Sequence, residues 1–557
     1  MSKTNSNNGE LSKNKEYMET KNNNLESGKS SLEAADFETA ISETHYGKFN
    51  YFLLLVALPA CLSSQFDTST MSYILSSAEC DLNLDLVDKG NLNAVTYGGM
   101  IASAMGWGYL SDTLGRKKLL MYGYLLDGAI NIFVSFSQTK ISIMIFKFFS
   151  GFVICGPFAV LMSYLSELHG KNVRGRIMMA VGICFSVGNV LLPFIAWMIL
   201  PLKFEYVLIE NLFEIHTWQI FLAVCSIPPC LIAGILVAFL PESPKFLMSQ
   251  GRNDEAMRVF RQIFSINTGK SPDSYPIKIL VNEVKPIETI SKIVQDDENP
   301  RRRDSQFVTN MKQFSVMFRK PHLSNSILVY VIQFGILFGL NSLRLWVPQL
   351  FSIISEYETD FPLVNNGGKG ADLCTMMEAK VNKSLLMSAS NSDLVVDGFE
   401  ESICRDVTNA EVYEKAMILG AVTMVGYLIT GSIINAVGNK IILIIGLIFS
   451  GSCGICLYFA KDSLSTLILS SLFVTTSSIC STALVSSTVS IFPTSLRTMI
   501  VSILMMFGRI GALLGNVMFP KLMETGCLPP FLMVGGTAIV CGVVCFLLPR
   551  TIKQPLK

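Results

Sequence analysis

Charge is scarce in this chain. Only 16% of its 557 residues are Asp, Glu, Lys or Arg, against 50% hydrophobic residues, too few to coat an ordinary soluble enzyme of this length. A mean hydropathy of +0.46 agrees, and together these figures indicate a polytopic membrane protein. Neither sign of charge is in excess: the net value is +1, and the uneven distribution along the loops concerns topology, with no nucleic-acid partner implied. Histidine is rarer still. His45, His169, His216 and His322 all fall at loops or span ends, and no nucleophile stands beside a base, so neither a catalytic group nor a cofactor is expected. The cysteines lack any zinc spacing, and most lie in apolar runs where a thiol packs as a small apolar group, so no metal is expected. The first fifty residues lack the apolar core of a cleavable signal peptide, which makes a cytosolic start the expectation.

What the chain does have is long apolar runs. Twelve spans are expected, approximately Phe49 to Leu75, Leu92 to Leu110, Leu119 to Phe136, Ile141 to Leu165, Ile177 to Leu200, Trp218 to Leu240, Ser326 to Phe351, Ala416 to Val437, Ile441 to Ala460, Leu464 to Ser487, Met499 to Leu522 and Leu528 to Leu548. Loop charges sort accordingly. Arg116 to Lys118, Lys171, Arg174, Arg176, Arg301 to Arg303, Lys440, Arg497 and Arg550 fall on one side, which the basic bias makes cytosolic. Glu79, Asp81, Asp85, Asp88, Glu205, Glu210, Glu214 and the acidic stretch from Glu356 to Glu414 fall on the other, and both termini come out cytosolic. The expected organisation is therefore a tail over 1–48, a six-span bundle over 49–240, a cytosolic loop over 241–325, a second bundle over 326–548 and a tail over 549–557. In the first tail Leu32, Ala35, Phe37, Ala40 and Ile41 recur at helical spacing, as do Ala256, Val259, Phe260, Ile263 and Phe264 of the central loop after the candidate N-cap Asn253. The polar loop over 352–415 carries the sequon at Asn382, read by glycosylation only in a lumenal or extracellular compartment, and a candidate Cys374 to Cys404 disulfide.

One turn is unusually marked. Gly108-Tyr-Leu-Ser-Asp112-Thr-Leu-Gly115-Arg116-Lys117-Lys118 joins the second and third spans, and its spacing recurs as Gly431, Asn435, Gly438, Asn439 and Lys440 between the eighth and ninth. Glu167 stands seven residues before Arg174, as Ser490 stands seven before Arg497. Six spans, a loop and six spans thus read as a duplication. The first copy keeps its carboxylates, and Asp112, Arg116, Glu167 and Arg174 are expected to form a gating network of charge-assisted hydrogen bonds, with Arg497 as the second-half counterpart. Asn435, Asn439 and Ser490 make that counterpart weaker, or leave apolar packing to replace it.

The signature turn, Pro241-Glu-Ser-Pro-Lys-Phe-Leu247 and Phe492-Pro-Thr494 through Arg497 resemble the major facilitator superfamily, in the branch containing sugar porters, organic ion transporters and synaptic vesicle glycoprotein 2 with its relatives. Cys80-Asp81, Lys89-Gly90, Trp107 to Leu110, Gly339-Leu340 and Trp346-Val-Pro348 resemble the vesicle group most. The resemblance implies an all-α, twelve-span fold of two six-helix bundles related by a pseudo-two-fold axis, alternating access to a midplane site. Departures qualify it. Gly335 and Ile336 stand where sugar porters carry paired glutamines, which argues against a hexose site, and Thr70 replaces the second carboxylate of the vesicle group's first span.

Charges inside spans are costly and mark candidate sites. Asp67, Lys147 and Arg344 fall on helices that line the cavity in this superfamily, with Gln333, Asn341 and Asn189 as further polar candidates; Asp127 and Arg509 lie nearer mid-membrane. Burial would raise the pKa of Asp67 and a nearby Lys147 would lower it, leaving proton coupling open. The reading is a monomeric secondary transporter of a small organic solute or ion, in the plasma membrane or a secretory or endosomal vesicle. The alternative is a transport-silent membrane protein acting in trafficking or partner binding.

Overall fold

The structure, a computed structural model, describes residues 34–75, 77–79, 81–202, 204–209, 213–281, 322–360, 373–377, 410–492 and 494–549. Backbone groups in hydrocarbon must be satisfied within their own segment, and the long apolar runs accordingly fold as helices. The first half contains α1 (Phe37–Glu43), α2 (Lys48–Ile74), α3 (Leu86–Leu114), α4 (Arg116–Ser135), α5 (Lys140–Glu167), α6 (Lys171–Ile199) and α7 (Thr217–Ala238). After α8 (Pro244–Ser249) and α9 (Asn253–Thr268), the second half contains α10 (His322–Asp360), α11 (Ala410–Val437), α12 (Asn439–Cys456), α13 (Ser463–Ile491), α14 (Thr494–Thr525) and α15 (Leu528–Val544). Ten of these helices are long and apolar enough to cross a membrane. The other two long ones are α3 and α4, the latter carrying Arg116, Lys117, Lys118 and Asp127. Most boundaries fall within a few residues of the apolar runs; α3, α6, α10 and α11 extend further at one end, because polar residues at a span's ends continue a helix as readily as they end it.

Local chemistry starts and reverses these helices. Asp85 accepts the Asp88 N–H at 2.6 Å to begin α3, and Thr139 with Ser142 forms a reciprocal cap at α5. The chain reverses between α3 and α4 at Gly115, with φ +90°, and between α11 and α12 at Gly438, with φ +86°. The repeated spacing in the sequence is thus a repeated backbone conformation, one that favours glycine. Packing then builds two bundles, α2–α7 and α10–α15, which meet where α6 lies on α11 and α3 on α14. Close approach within the first bundle needs a small residue at Gly151, where a Cβ would fall on the Thr96 carbonyl.

The two ends of the bundles are finished differently. At one, Ala34–Ala35 (β1) pairs in parallel with Ile279–Leu280 (β4), and Phe37, Ala40 and Ile41 of α1 are buried with Ala256, Phe260 and Phe264 of α9. The amphipathic helices expected in the tail and the central loop therefore cover each other. Helix α9 begins one residue earlier than its candidate cap implied, with Arg252 at the N-cap and Asn253 inside. Near its other end Asn267 accepts the Phe49 N–H at 3.0 Å and donates to the His45 carbonyl at 2.7 Å, fixing the entry to α2.

At the opposite end an antiparallel hairpin, Glu205–Ile209 (β2) with Phe213–His216 (β3), joins α6 to α7. Nothing in the acidic loop pattern indicated it. The candidate disulfide is corrected here. Cys374 is bonded to Cys527, with Cα atoms 5.3 Å apart. The segment 373–377 docks on the second bundle, where Leu373 donates its N–H to the Ala460 carbonyl at 3.0 Å and packs among the residues that include Met523. That docking carries Cys374 to the α14–α15 turn. Cys404 and the sequon Asn382 lie outside the described residues.

Candidate functional site

Where the bundles meet, the apolar interior is interrupted by polar side chains from both halves. On α2, residues 65, 69, 72 and 73 share one helical face. Gln65 donates from Nε2 to Asn189 Oδ1 of α6 at 2.5 Å and to Ser69 Oγ at 3.1 Å. From α10, Arg344 donates to the Gln65 Oε1 at 3.5 Å and to Asn341 Oδ1 at 2.9 Å, and Tyr97 of α3 donates to the same Asn341 oxygen at 3.1 Å. Asn189, Ser69 and Arg344 of this set line a cavity of about 20 Å³, together with Ser72 and Tyr73, among others. That is room for about one water. Gln333, a turn or more away along α10, bonds Ser481 Oγ of α13 at 3.1 Å and leaves its buried Oε1 unpartnered. On α14, Arg509 donates to Cys155 Sγ of α5 at 2.8 Å.

Asp67 and Lys147 are brought together, but not with Arg344. Asp67 projects from the other face of α2, and its Oδ1 lies 3.2 Å from Lys147 Nζ with both side chains wholly buried. Asp127 of α4 is within electrostatic reach of both; it accepts from Ser150 Oγ at 3.2 Å and from Cys230 Sγ at 3.1 Å. Two carboxylates and one ammonium therefore share the interior of the first bundle, away from the central cavity.

A second cluster ties the end face that carries α8 and α9. Arg116 Nε lies 3.5 Å from Glu167 Oε2, and the same oxygen accepts from Ser243 Oγ at 2.5 Å. Glu242 receives the backbone N–H groups of Arg116, Lys117 and Ser243 at 2.9, 3.1 and 2.9 Å, a carboxylate set on the positive end of α4. Arg174 is held by the Ser166 carbonyl at 2.8 Å and by Glu38 of α1 at 3.1 Å. Beside it the His169 ring is buried, which lowers its pKa from the usual histidine value. The side chains of Asp112, Arg497, Asn435 and Ser490 lie outside the described set. In the second half Asn439 Nδ2 donates to Ser486 Oγ at 3.1 Å, and Lys440 Nζ bonds the Phe546 and Leu548 carbonyls.

Of the residues singled out from sequence, the structure gathers Asn341 with Arg344, Asp67 with Lys147 and Asp127, and Arg116 with Glu167. Gln65, Tyr97, Glu242 and Glu38 were not anticipated. Glu242 carried a signal, since it stands in a recognisable motif, but its partner turn lies over a hundred residues away in sequence.

An α-helical bundle with an internal repeat, a repeated glycine reversal and a polar cavity between its halves is the architecture of a membrane transporter. Comparison agrees. The family model for sugar (and other) transporters matches residues 45–347, and that for the major facilitator superfamily matches 408–557. The chain belongs to the sugar (and other) transporter family and is an integral membrane protein. It is 24% identical to synaptic vesicle glycoprotein 2B of Rattus norvegicus, across 94% of this chain and 86% of that one. It is 30% identical to synaptic vesicle glycoprotein 2A of the same organism, over 42% of this chain and 31% of the relative. Its fold is similar to that of the xylose transporter XylE from E. coli in a partially occluded inward-open conformation, with TM-score 0.59 and 15% identity across 90% of this chain and 100% of that one. XylE has also been solved as a proton:xylose symporter bound to 6-bromo-6-deoxy-D-glucose, with TM-score 0.58 and 16% identity across 90% of this chain and 96% of that one.

Proposed function

We propose that this protein is a secondary active transporter of a small organic solute or ion, with twelve spans, both termini cytosolic, and two bundles that rock about the cavity bordered by Arg344. The observation that carries the reading is the convergence of Gln65, Asn189, Tyr97, Asn341 and Arg344 from four helices of both halves into one hydrogen-bonded set, of which Asn189 and Arg344 line the cavity. Polar groups inside hydrocarbon are expensive, and a ring of them at the joint between two moving bodies is where a solute would be held.

Asp67 and Lys147 supply a coupling element. A proton taken up by Asp67 would cancel the pair's attraction and free Lys147 to repartner with Asp127, so protonation would alter how α2, α4 and α5 pack. The proton-coupled behaviour named for XylE makes a proton the first ion to test. Arg116, Glu167 and Arg174, with Asp112 and Arg497, form the cytosolic gate. The loop around Asn382 is glycosylated on the opposite side. The protein acts as a monomer in the plasma membrane or a vesicle membrane.

The deciding experiment is an untargeted metabolite uptake screen in proteoliposomes, with and without an inward proton gradient. Uptake of at least one solute is expected, abolished by Arg344→Ala. Asp67→Asn is expected to lose the gradient's stimulation and keep solute exchange. Reconstituted, cooperatively folded protein that moves nothing above empty vesicles would refute the carrier reading and leave the trafficking role in its place.

A further inference from the structure

Among the described residues, two guanidinium groups stand in the middle of this molecule without a counter-charge. Arg344 lines the cavity, and its buried Nε has no hydrogen-bond partner. Among the described residues neither Arg344 nor Arg509 makes an ion pair; their partners are the neutral Gln65, Asn341 and Cys155. Both arginines lie within electrostatic reach of the Tyr97 hydroxyl, and the Arg344 charge is also felt at Tyr73 and Tyr427. The surrounding helices offer no relief. Asp and Glu are absent from α6 and α13, and from residues 89–111 of α3, 323–355 of α10, 415–437 of α11 and 494–523 of α14. Asp67, the one acid in the interior of α2, points to the other face and is already committed to Lys147.

Arginine does not lose its proton in proteins, so these charges cannot be neutralised in place as a buried lysine could be. Burying an ion without a partner costs several kcal/mol. An arrangement that keeps two such half-buried cations, one of them at a cavity that Tyr73 also lines, is stable when the missing negative charge arrives from outside. We infer that the transported solute is an anion, a small carboxylate- or phosphate-bearing molecule, whose acidic group is held by the Arg344 fork while Arg509 supplies long-range attraction. Arginine's planar fork matches a carboxylate or phosphate in a bidentate manner. The site rests on the carrier reading above for its role in transport, but its charge preference can be measured by itself.

The test uses the purified full chain in detergent at constant ionic strength, with the melting temperature as readout. The probes are sodium succinate, citrate, benzoate and phosphate, the neutral sugars D-glucose and D-xylose, and choline chloride. At least one carboxylate or phosphate is expected to raise the melting temperature by about 2 °C or more, and the carboxylates and phosphate separate the two chemistries. Arg344→Gln is expected to erase that shift while melting, without ligand, at or above the parent temperature, because an uncompensated charge has been removed. Arg344→Lys, which keeps the charge and loses the fork, is expected to retain a smaller shift. A shift produced only by a sugar or choline, no shift with any probe, or an anion shift unchanged in Arg344→Gln would each overturn the inference. Equal loss of ligand-free stability in both variants would mark the guanidinium as structural and overturn it too. Uptake of a neutral solute alone would retire the anion site and keep the carrier; anion binding without uptake in vesicles would do the reverse.

Discussion

Among the described residues Lys147 is the cation facing Asp67 and Asp127 inside the first bundle, and its position explains how two acids are tolerated there. The ammonium lies 3.2 Å from Asp67 Oδ1 with no solvent access on either side, while Asp127 is held by Ser150 and Cys230. Removing one member of a buried pair costs more than removing both, because the survivor is left charged and unsolvated; breaking such a pair typically costs about 3–5 kcal/mol. Lys147→Met should therefore lower stability by that order, and adding Asp67→Asn should recover most of the loss. Thermal melting of the two single variants and the double variant measures this. Additive losses would mean the two side chains are not coupled. Sequence located both residues as intramembrane charges, but not their mutual contact or their separation from Arg344. Helical phase does this: Asp67 and Gln65 are two positions apart on α2 and so face nearly opposite directions, and which face meets the other bundle is decided by packing that no local pattern records.

At the scale of elements, the long helices were legible because a hydrocarbon environment leaves few alternatives to a helix, and an apolar run of sufficient length is its direct signature. The reversal at Gly115 was legible for a related reason, since its positive φ and the nearby Glu242 both exclude a side chain: a Cβ there would come 2.6 Å from Glu242 Oε2. The β2–β3 hairpin and the disulfide were not. Both depend on where a polar loop lies down on the bundle, and a loop's hydrophilicity says little about its docking. Leu373, Met376 and Met377 are almost wholly buried, and this small apolar cluster was the available signal that 373–377 anchors on the second bundle. The disulfide is expected to link Cys374 to Cys527 in protein from an oxidising secretory compartment. Peptide mapping under non-reducing conditions should give a linked pair containing these two residues, separating on reduction. A Cys374 peptide joined to Cys404 instead would contradict this placement of the loop.

The whole molecule is a duplication whose halves have diverged in how their matching turns are braced. Both turns use a left-handed glycine, yet among the described residues only the first is closed by a carboxylate. Glu242 takes up the N–H groups of Arg116 and Lys117, two of the orphan donors at the start of α4, and Arg116 with Ser243 binds α8 to α5 through Glu167. At the second turn no described residue lies within 4 Å of a Cβ placed on Gly438, and the side-chain bracing among the described residues comes from Asn439 to Ser486 and from Lys440 to two carbonyls. Hydrogen bonds to a charged group contribute about 1.5–3 kcal/mol; at the first turn they hold the backbone N–H groups of residues 116 and 117 themselves, whereas the charged bonds of Lys440 are made by its side chain. If the bundles rock, the first should therefore move as the stiffer body and the second should yield at its α11–α12 turn. Amide hydrogen exchange reads this directly, because local opening free energy sets the rate. Exchange at residues 116–117 should be roughly tenfold or more slower than at 439–440, a factor that corresponds to about 1.4 kcal/mol. Glu242→Gln should bring the two turns most of the way together without changing exchange in α13. Comparable exchange at both turns in the parent protein would mean that the lost carboxylates of the second half have been replaced by packing of equal strength, and that the two bundles share the motion evenly.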